Sequence, residues 1–244
     1  NLAIGNYALD ALTSGDYNVG VGMNALSALT TGSYSTALGY EALSAMTTSG
    51  YNVAVGYEAM KQGTTGAHNV AVGKAALSAN NGGNNTALGH RSMETNTTAG
   101  DNVAVGYMSL HANTTGTENV AVGNEALLTN TTADGNTAIG HNSMLVNTVG
   151  FNLTAVGNRT LEANTDGDYN TAIGAQALRA NTTGVSNTAL GDSALKANTT
   201  GARNIAIGPN AYDASDTEND NIAIGFDAMT TNTAGGTRNV AIGN

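Results

Sequence analysis

The chain has 244 residues, a net charge of −10, 32 glycines, one proline and neither cysteine nor tryptophan, and only 11% of its residues are charged. With eight Lys and Arg residues in an acidic chain, the composition argues against a nucleic-acid or anionic-membrane partner, because both require clustered cations. No apolar run approaches the ~20 residues of a membrane-spanning helix.

A repeat of about 17 residues runs along the whole chain, and its positions are numbered from the start of the recurring Asn-x-Ala-x-Gly. A fixed period of this kind is typical of solenoids, in which each repeat forms one coil. The sequence therefore predicts a single all-β parallel solenoid of about 14 coils over residues 1–244. Since neither end resembles a capping repeat, we expect a piece of a longer array. The repeats begin at Asn1, Asn18, Ser35, Asn52, Asn69, Asn85, Asn102, Asn119, Asn136, Leu153, Asn170, Asn187, Asn204, Asn221 and Asn239.

Positions 2–4 of each repeat predict a short strand that ends at a glycine. Position 4 is always Val, Ile or Leu, which is typical of a core position on a strand. Position 5 is always Gly, which indicates a turn with positive φ or a close backbone contact. A second, shorter strand is expected near positions 8–10, where Leu or Met at position 9, replaced once by Tyr212, supplies the other core side chain. Representative core residues are Val55, Val105 and Ile139, and representative turn glycines are Gly56, Gly106 and Gly140.

Position 3 is Ala in every repeat except one, where Gly20 replaces it. Side chains alternate between the two faces of a strand, so an inward position 4 places position 3 on the outside of the coil. An outer position that never becomes polar indicates burial against another subunit, and the candidate interface residues are Ala54, Ala104 and Ala138. The alternative is that these alanines point inward and are small because the coil is narrow.

Asn at positions 1 and 12 and Thr at position 13 predict ladders of amides and hydroxyls. Stacked coils place equivalent residues about 4.8 Å apart, which allows identical polar side chains to bond to one another. The Asn-Thr-Thr-Gly segment is therefore expected to form the second turn of each coil.

The first three coils, residues 1–51, differ from the others. Their last position carries Tyr17, Tyr34 and Tyr51, and their position 12 is apolar instead of Asn. A tyrosine ladder is a candidate ligand contact, because aromatic rings stack on sugars or dock a neighbouring module. The alternative is a purely structural ladder. The apolar residues at position 12 are Leu12, Leu29 and Met46.

Motifs that would indicate catalysis, a cofactor or a metal ion are absent from the sequence. There is neither a phosphate-binding Gly-rich loop ending in Lys-Ser/Thr nor a His-Glu-x-x-His motif. The histidines occupy scattered repeat positions, so a shared metal site is not expected. We therefore predict a protein that is not an enzyme and has no cofactor. The histidines are His68, His90, His111 and His141.

The Asn-x-Ala-Val/Ile-Gly element, as in residues 52–56 and 204–208, resembles the head repeats of YadA-like trimeric autotransporter adhesins. The arrays of the Asn-Thr-Ala-Ile-Gly type in this chain also resemble those of phage tail fibres and bacterial surface proteins. The usual repeat of the adhesin heads is shorter than the repeat of this chain. The resemblance implies a left-handed, homotrimeric β-roll on a cell or virion surface. It also implies an extracellular attachment fibre whose partner is a host-surface glycan or protein.

Two other functions are compatible with the repeat. Coils that stack end to end would make the chain a subunit of a self-assembling extracellular filament. The threonine ladder at position 13 suggests an ice-binding solenoid, although adjacent threonines such as Thr97 and Thr98 face opposite ways.

Overall fold

The computed structural model of the chain describes residues 1–214, 216–230 and 236–243. The described residues form fifteen strands of three residues each and no helix. The prediction of an all-β parallel solenoid with about 14 coils of about 17 residues each is confirmed. The chain divides into two compact units, Asn1–Asn119 and Val120–Asn244.

Seven strands lie in the first unit, and each pairs in parallel with its neighbours in the chain. Partners occupy the same position of successive repeats, as in Val53↔Val70, and the short repeat likewise brings Val70 opposite Thr86. Equivalent repeat positions therefore lie side by side. The strands are β1 (Leu2–Ile4), β2 (Val19–Val21), β3 (Thr36–Leu38), β4 (Val53–Val55), β5 (Val70–Val72), β6 (Thr86–Leu88) and β7 (Val103–Val105).

Eight strands lie in the second unit and pair in the same way. The extra residue of the long repeat is absorbed outside the strands, since Ile222 still lies opposite Val240. The strands are β8 (Val120–Val122), β9 (Thr137–Ile139), β10 (Thr154–Val156), β11 (Thr171–Ile173), β12 (Thr188–Leu190), β13 (Ile205–Ile207), β14 (Ile222–Ile224) and β15 (Val240–Ile242).

A glycine with positive φ follows each strand and turns the chain out of the sheet. Gly56 has a φ of 136°, and a Cβ added to it would lie 2.6 Å from the carbonyl oxygen of Gly73 in the next coil. Only glycine permits both this backbone conformation and this approach. Gly106 and Gly140 have φ values of 138° and 135°.

In most coils the core contains the alanine of position 3 and the Leu or Met of position 9, and the exceptions at these positions include Gly20 and the buried Tyr212. Ala54, Ala104 and Ala138 are completely buried within the single chain. The prediction that they contact another subunit is therefore wrong in its geometry, and the alternative of a narrow coil is the one observed. Only a methyl group fits there, because position 9 side chains such as Met60 fill the rest of the interior.

Position 4 points out of the coil, so the prediction that it supplies the core is wrong. Val55 and Val105 are half-exposed, and Ile139 is 38% exposed. The reason is strand alternation: once the alanine of position 3 points inward, positions 2 and 4 must point outward.

Positions 8–10 form turns, and the second strand predicted there is absent from the described coils. Glu58 and Met60, at positions 7 and 9, have left-handed φ values of 57° and 49°. The Glu58 amide donates to Tyr40 in the preceding coil, whereas the Met60 amide donates to Ala76 in the following coil, both at 2.9 Å. These two hydrogen bonds, one to the preceding coil and one to the following coil, hold the backbone in a left-handed conformation that Glu and Met rarely adopt.

Buried asparagines connect neighbouring coils at two positions. At position 1, Oδ1 of Asn52 accepts a hydrogen bond from the Asn69 amide, and Nδ2 of Asn52 donates to the Gly66 carbonyl, both at 2.9 Å. At position 12, Nδ2 of Asn181 donates to Oδ1 of Asn164 at 2.7 Å. The expected amide ladders are therefore present. Most threonines of position 13 instead donate to backbone carbonyls of the next coil, as in Thr182 to Thr199 at 3.0 Å.

Candidate functional site

The outward side chains of positions 2 and 4 form a largely apolar surface in each unit, which we call the sheet face. Every position 4 residue is Val, Ile or Leu, and every position 2 residue is Val, Ile, Leu or Thr. No charged side chain interrupts it within the fifteen described strands. Exposed members include Leu38, Val53, Val70 and Leu88 in the first unit, and Ile139, Ile173, Leu190 and Ile205 in the second.

The sheet face is comparable in size to the apolar patches that act as binding surfaces on soluble proteins. The seven strands of the first unit span about 29 Å across the sheet, since neighbouring strands are about 4.8 Å apart, and each strand is about 10 Å long. Contiguous apolar patches of a few hundred Å² on soluble proteins are commonly binding surfaces. The sequence predicted an outward contact surface at position 3, which lies on the opposite side of the strand from the sheet face.

The predicted tyrosine ladder is present in the first unit. The ring centroids of Tyr17 and Tyr34 are 5.0 Å apart, those of Tyr34 and Tyr51 are also 5.0 Å apart, and the interplanar angles are 13° and 14°. His68 continues the stack at 4.9 Å from Tyr51. Both faces of the Tyr34 ring are therefore covered by neighbouring rings, and only its edge and hydroxyl group face solvent. This geometry favours the structural role of the ladder over sugar stacking on Tyr34.

A second ladder, which sequence reasoning missed, lies at position 6 of the first unit. The rings of Tyr40 and Tyr57 stack at 5.1 Å, and those of His90 and Tyr107 stack at 5.5 Å. Between the two pairs, the Lys74 ammonium lies 5.8 Å from the centre of the Tyr57 ring, which is a cation–π contact. Alignment of position 6 alone would have revealed this column of aromatic and cationic residues.

The histidines do not form a shared site. The described residues contain no group of three or more His, Cys, Asp or Glu side chains arranged to hold a metal ion. His111 lies 3.5 Å from Glu94, and His141 lies 3.3 Å from the Asn158 amide. No helix in the described ranges is long and apolar enough to cross a membrane.

A charged cluster lies on the turns of the first unit. The Lys61 ammonium is 2.6 Å from Glu41 and 2.9 Å from Glu58. The pKa of Lys61 is raised by its hydrogen bond to Glu41 and, to a smaller extent, by its hydrogen bond to Glu58. The hydrogen bond from Lys61 in turn lowers the pKa of Glu41. Because each charge has a partner, this cluster is a self-contained ion-pair network.

A groove of about 590 Å³ lies on the turns of the second unit. Its charged lining includes Arg159 and Arg179, whose Nε atoms each lie 2.8 Å from the Glu162 carboxylate. Burial alone would raise the pKa of Glu162, but hydrogen bonds from Arg179 and Arg159 outweigh burial and lower it. Lys196 lines the same groove one coil beyond Arg179.

No protein-family model, curated protein or solved structure shows significant similarity to the chain.

Proposed function

We propose that the chain is a structural segment of an extracellular attachment fibre, in which copies of the chain associate through the sheet face. The exposed sheet face carries this proposal. Its leucine, isoleucine and valine side chains lie in regular columns, and burying them removes apolar surface from water at roughly 25 cal/mol per Å².

A second copy of this chain is the partner that the sheet face fits best. Both surfaces would lack charged side chains within the described strands and share the same spacing between coils, so columns of one copy can pack between columns of another. Strands of three residues also leave each coil with a narrow interior, which in most coils holds alanines, asparagines and the one large side chain of position 9. Association would give every coil a second apolar layer.

Three copies around an axis, a left-handed coil and a position on a cell or virion surface follow from the resemblance to trimeric adhesin heads. A segment of this kind acts by spacing and presenting binding groups, so we propose a non-enzymatic role without a cofactor. Its target would be a glycan or protein on a host surface.

Mass measurement on matched variants tests the assembly. We expect the purified chain to have the mass of three chains by native mass spectrometry and light scattering. Replacing Ile139 and Ile173 together by Lys places charges in the sheet face, where burial would leave them without water or a partner. This double variant is expected to be monomeric, with an unchanged β-sheet circular dichroism spectrum.

The control is Val149→Lys, because Val149 has a similar exposure, 45%, but lies on a turn away from the sheet face. It is expected to keep the mass of the parent chain. A monomeric parent, or a double variant that assembles like Val149→Lys, would contradict the proposal. Long fibres in electron micrographs, with masses far above three chains, would favour the self-assembling filament instead.

One observation favours ice binding as a second candidate. Four threonines at position 2 lie in register on the outward side of neighbouring strands in the second unit. Rows of hydroxyl groups at a regular spacing are suited to an ordered water layer. Thermal hysteresis in the parent chain that Thr171→Lys abolishes would support this function, and its absence in the parent would remove it. The threonines are Thr137, Thr154, Thr171 and Thr188.

A further inference from the structure

The groove of the second unit lies along positions 10 and 11 of successive coils. Its volume of about 590 Å³ falls within the usual range of ligand sites. Ala163, Ala180 and Ala197, all at position 11, contribute a smooth apolar floor. Each alanine belongs to a different coil, so the groove suits an extended ligand that runs along the stacking direction.

Basic side chains concentrate along this floor. Arg159, Arg179 and Lys196 are three of only eight Lys and Arg residues in the acidic chain. Both arginines contact Glu162 through Nε, which leaves their terminal amino groups available as donors. Glu162, which is 14% exposed, thereby holds two guanidinium groups at the groove without occupying all of their donors.

Lys196 differs from the lysine that occupies the same repeat position in the first unit. Lys61 is bonded to two carboxylates, whereas no carboxylate in the described ranges lies within ion-pairing distance of the Lys196 ammonium. Lys196 therefore presents a free positive charge beside the alanine floor. Asp213, on the next coil, adds an acceptor for hydroxyl groups.

We propose that this groove binds an acidic oligosaccharide, which rests on the proposed attachment function and specifies the class of its surface ligand. The C–H faces of the sugar rings pack on Ala163, Ala180 and Ala197. Carboxylate or sulfate groups accept hydrogen bonds from Lys196 and Arg179, and sugar hydroxyl groups donate to Asp213. A repeat of about 4.8 Å between coils provides equivalent contacts for successive sugars.

The exposure of the lining favours an oligosaccharide over a fatty acid. Ala163, Ala180, Lys196 and Ala197 are all partly exposed, so an acyl chain in the groove would remain largely in water. A sugar chain has polar groups that stay hydrated on its outer side. It needs only one apolar face against the floor, which is what the groove offers.

Calorimetry on the full chain tests the inference with three acidic probes: tetragalacturonate, a sialylated tetrasaccharide and a heparin tetrasaccharide. Methyl-esterified tetragalacturonate is the neutral control, since it keeps the ring shapes and loses the charge. We expect at least one acidic probe to bind, with an affinity that falls as the salt concentration rises. The neutral ester should bind at least about tenfold more weakly than tetragalacturonate if that probe is bound.

Variants assign the binding to the groove. Lys196→Gln is expected to weaken the affinity at least about tenfold, Lys196→Arg to retain most of it, and Ala180→Leu to weaken it by filling the floor. Lys61→Gln is the matched control, at the same repeat position but outside the groove, and should bind like the parent chain. Circular dichroism of each variant verifies that it is folded.

The inference is overturned if none of the three acidic probes binds, or if Lys196→Gln and Lys61→Gln bind alike. It is also overturned if palmitate binds the chain more tightly than every acidic probe. The oligomeric mass of each sample separates this result from the proposed function. Trimers that bind no acidic probe would overturn the groove inference alone, whereas monomers that bind one would support the groove and contradict the assembly.

Discussion

The side-chain amide of Asn181 donates a hydrogen bond of 2.7 Å to Oδ1 of Asn164 one coil away, and both side chains are fully buried. Nδ2 of Asn198 in turn donates to Oδ1 of Asn181 at 2.8 Å. Each asparagine also bonds to a turn carbonyl of its own coil, as Asn181 does to Gly184 at 3.0 Å. The ladder therefore connects neighbouring coils and closes the turn within each coil.

Replacement of Asn181 by Ala is expected to lower the free energy of unfolding by about 1–3 kcal/mol, because it leaves buried polar groups of the neighbouring coil unsatisfied. Urea unfolding followed by circular dichroism measures the change. Asn158→Ala is the control, because Asn158 is an exposed asparagine whose loss should change stability by less than about 0.5 kcal/mol. Equal losses in the two variants would mean that the buried ladder does not stabilise the fold.

A larger side chain at position 3 is expected to destabilise the coil. Ala172 is completely buried, and Leu at this position would overpack a narrow interior, with an expected loss of about 1–3 kcal/mol. Thermal unfolding measures the loss. Val149→Thr, which introduces the residue that most other repeats have at this exposed position, should leave the melting temperature nearly unchanged.

The same variant separates the two interpretations of the position 3 alanine. If the alanine faced another subunit, Ala172→Leu would change the oligomeric mass and leave the coil itself intact. The buried position predicts the reverse: a less stable coil whose folded form keeps the mass of the parent chain.

The period, the strand at positions 2–4 and the glycine after it could be predicted because each leaves a local signal in every repeat. Strand alternation established that positions 3 and 4 face opposite ways, but it could not establish which one faces the interior. An unvarying alanine fits a narrow interior as well as a tight subunit contact, and an unvarying valine or isoleucine fits an interior as well as an exposed binding face. The width of the coil decides whether position 3 or position 4 faces the interior, and this width cannot be predicted from a single repeat.

The turns at positions 7–9 could not be predicted because their residues disfavour the conformation they adopt. Leu178 has a left-handed φ of 49°, a region in which leucine is uncommon. Its amide donates to Ala194 in the following coil at 2.9 Å. Hydrogen bonds between coils impose this backbone, so the signal lies in the stacking of the coils and not in the local sequence. Hydrogen bonds between coils also impose a left-handed backbone on Tyr34 and its equivalents in the last position of the repeat.

The Glu162 network predicts a pH-dependent contribution to stability. Because the folded-state pKa of Glu162 lies below its ordinary value of about 4.3, the ionised carboxylate stabilises the fold above that pH. The contribution disappears as the pH falls below about 4 and through the folded-state pKa. Glu162→Gln should therefore lower the free energy of unfolding at pH 7 by up to about 1 kcal/mol and have a smaller effect at pH 3.

Urea titrations at the two pH values measure this difference. Asp166→Asn, an exposed acid in the same coil, is the control and should change stability by less than about 0.5 kcal/mol at pH 7. An effect of Glu162→Gln that grows as the pH falls would contradict the assigned direction of the pKa shift.

The tyrosine ladder is expected to stabilise the first unit through ring stacking. Tyr34 lies between Tyr17 and Tyr51, and replacing it by Ala removes two stacked contacts, each about 0.5–1.5 kcal/mol. Tyr34→Phe removes only the hydroxyl and keeps both contacts. We therefore expect Tyr34→Ala to lower the unfolding midpoint and the near-ultraviolet circular dichroism signal, while Tyr34→Phe keeps the midpoint of the parent chain. If the two variants unfold alike, the rings contribute nothing by stacking, and the exposed hydroxyl edge becomes the feature that explains the three tyrosines.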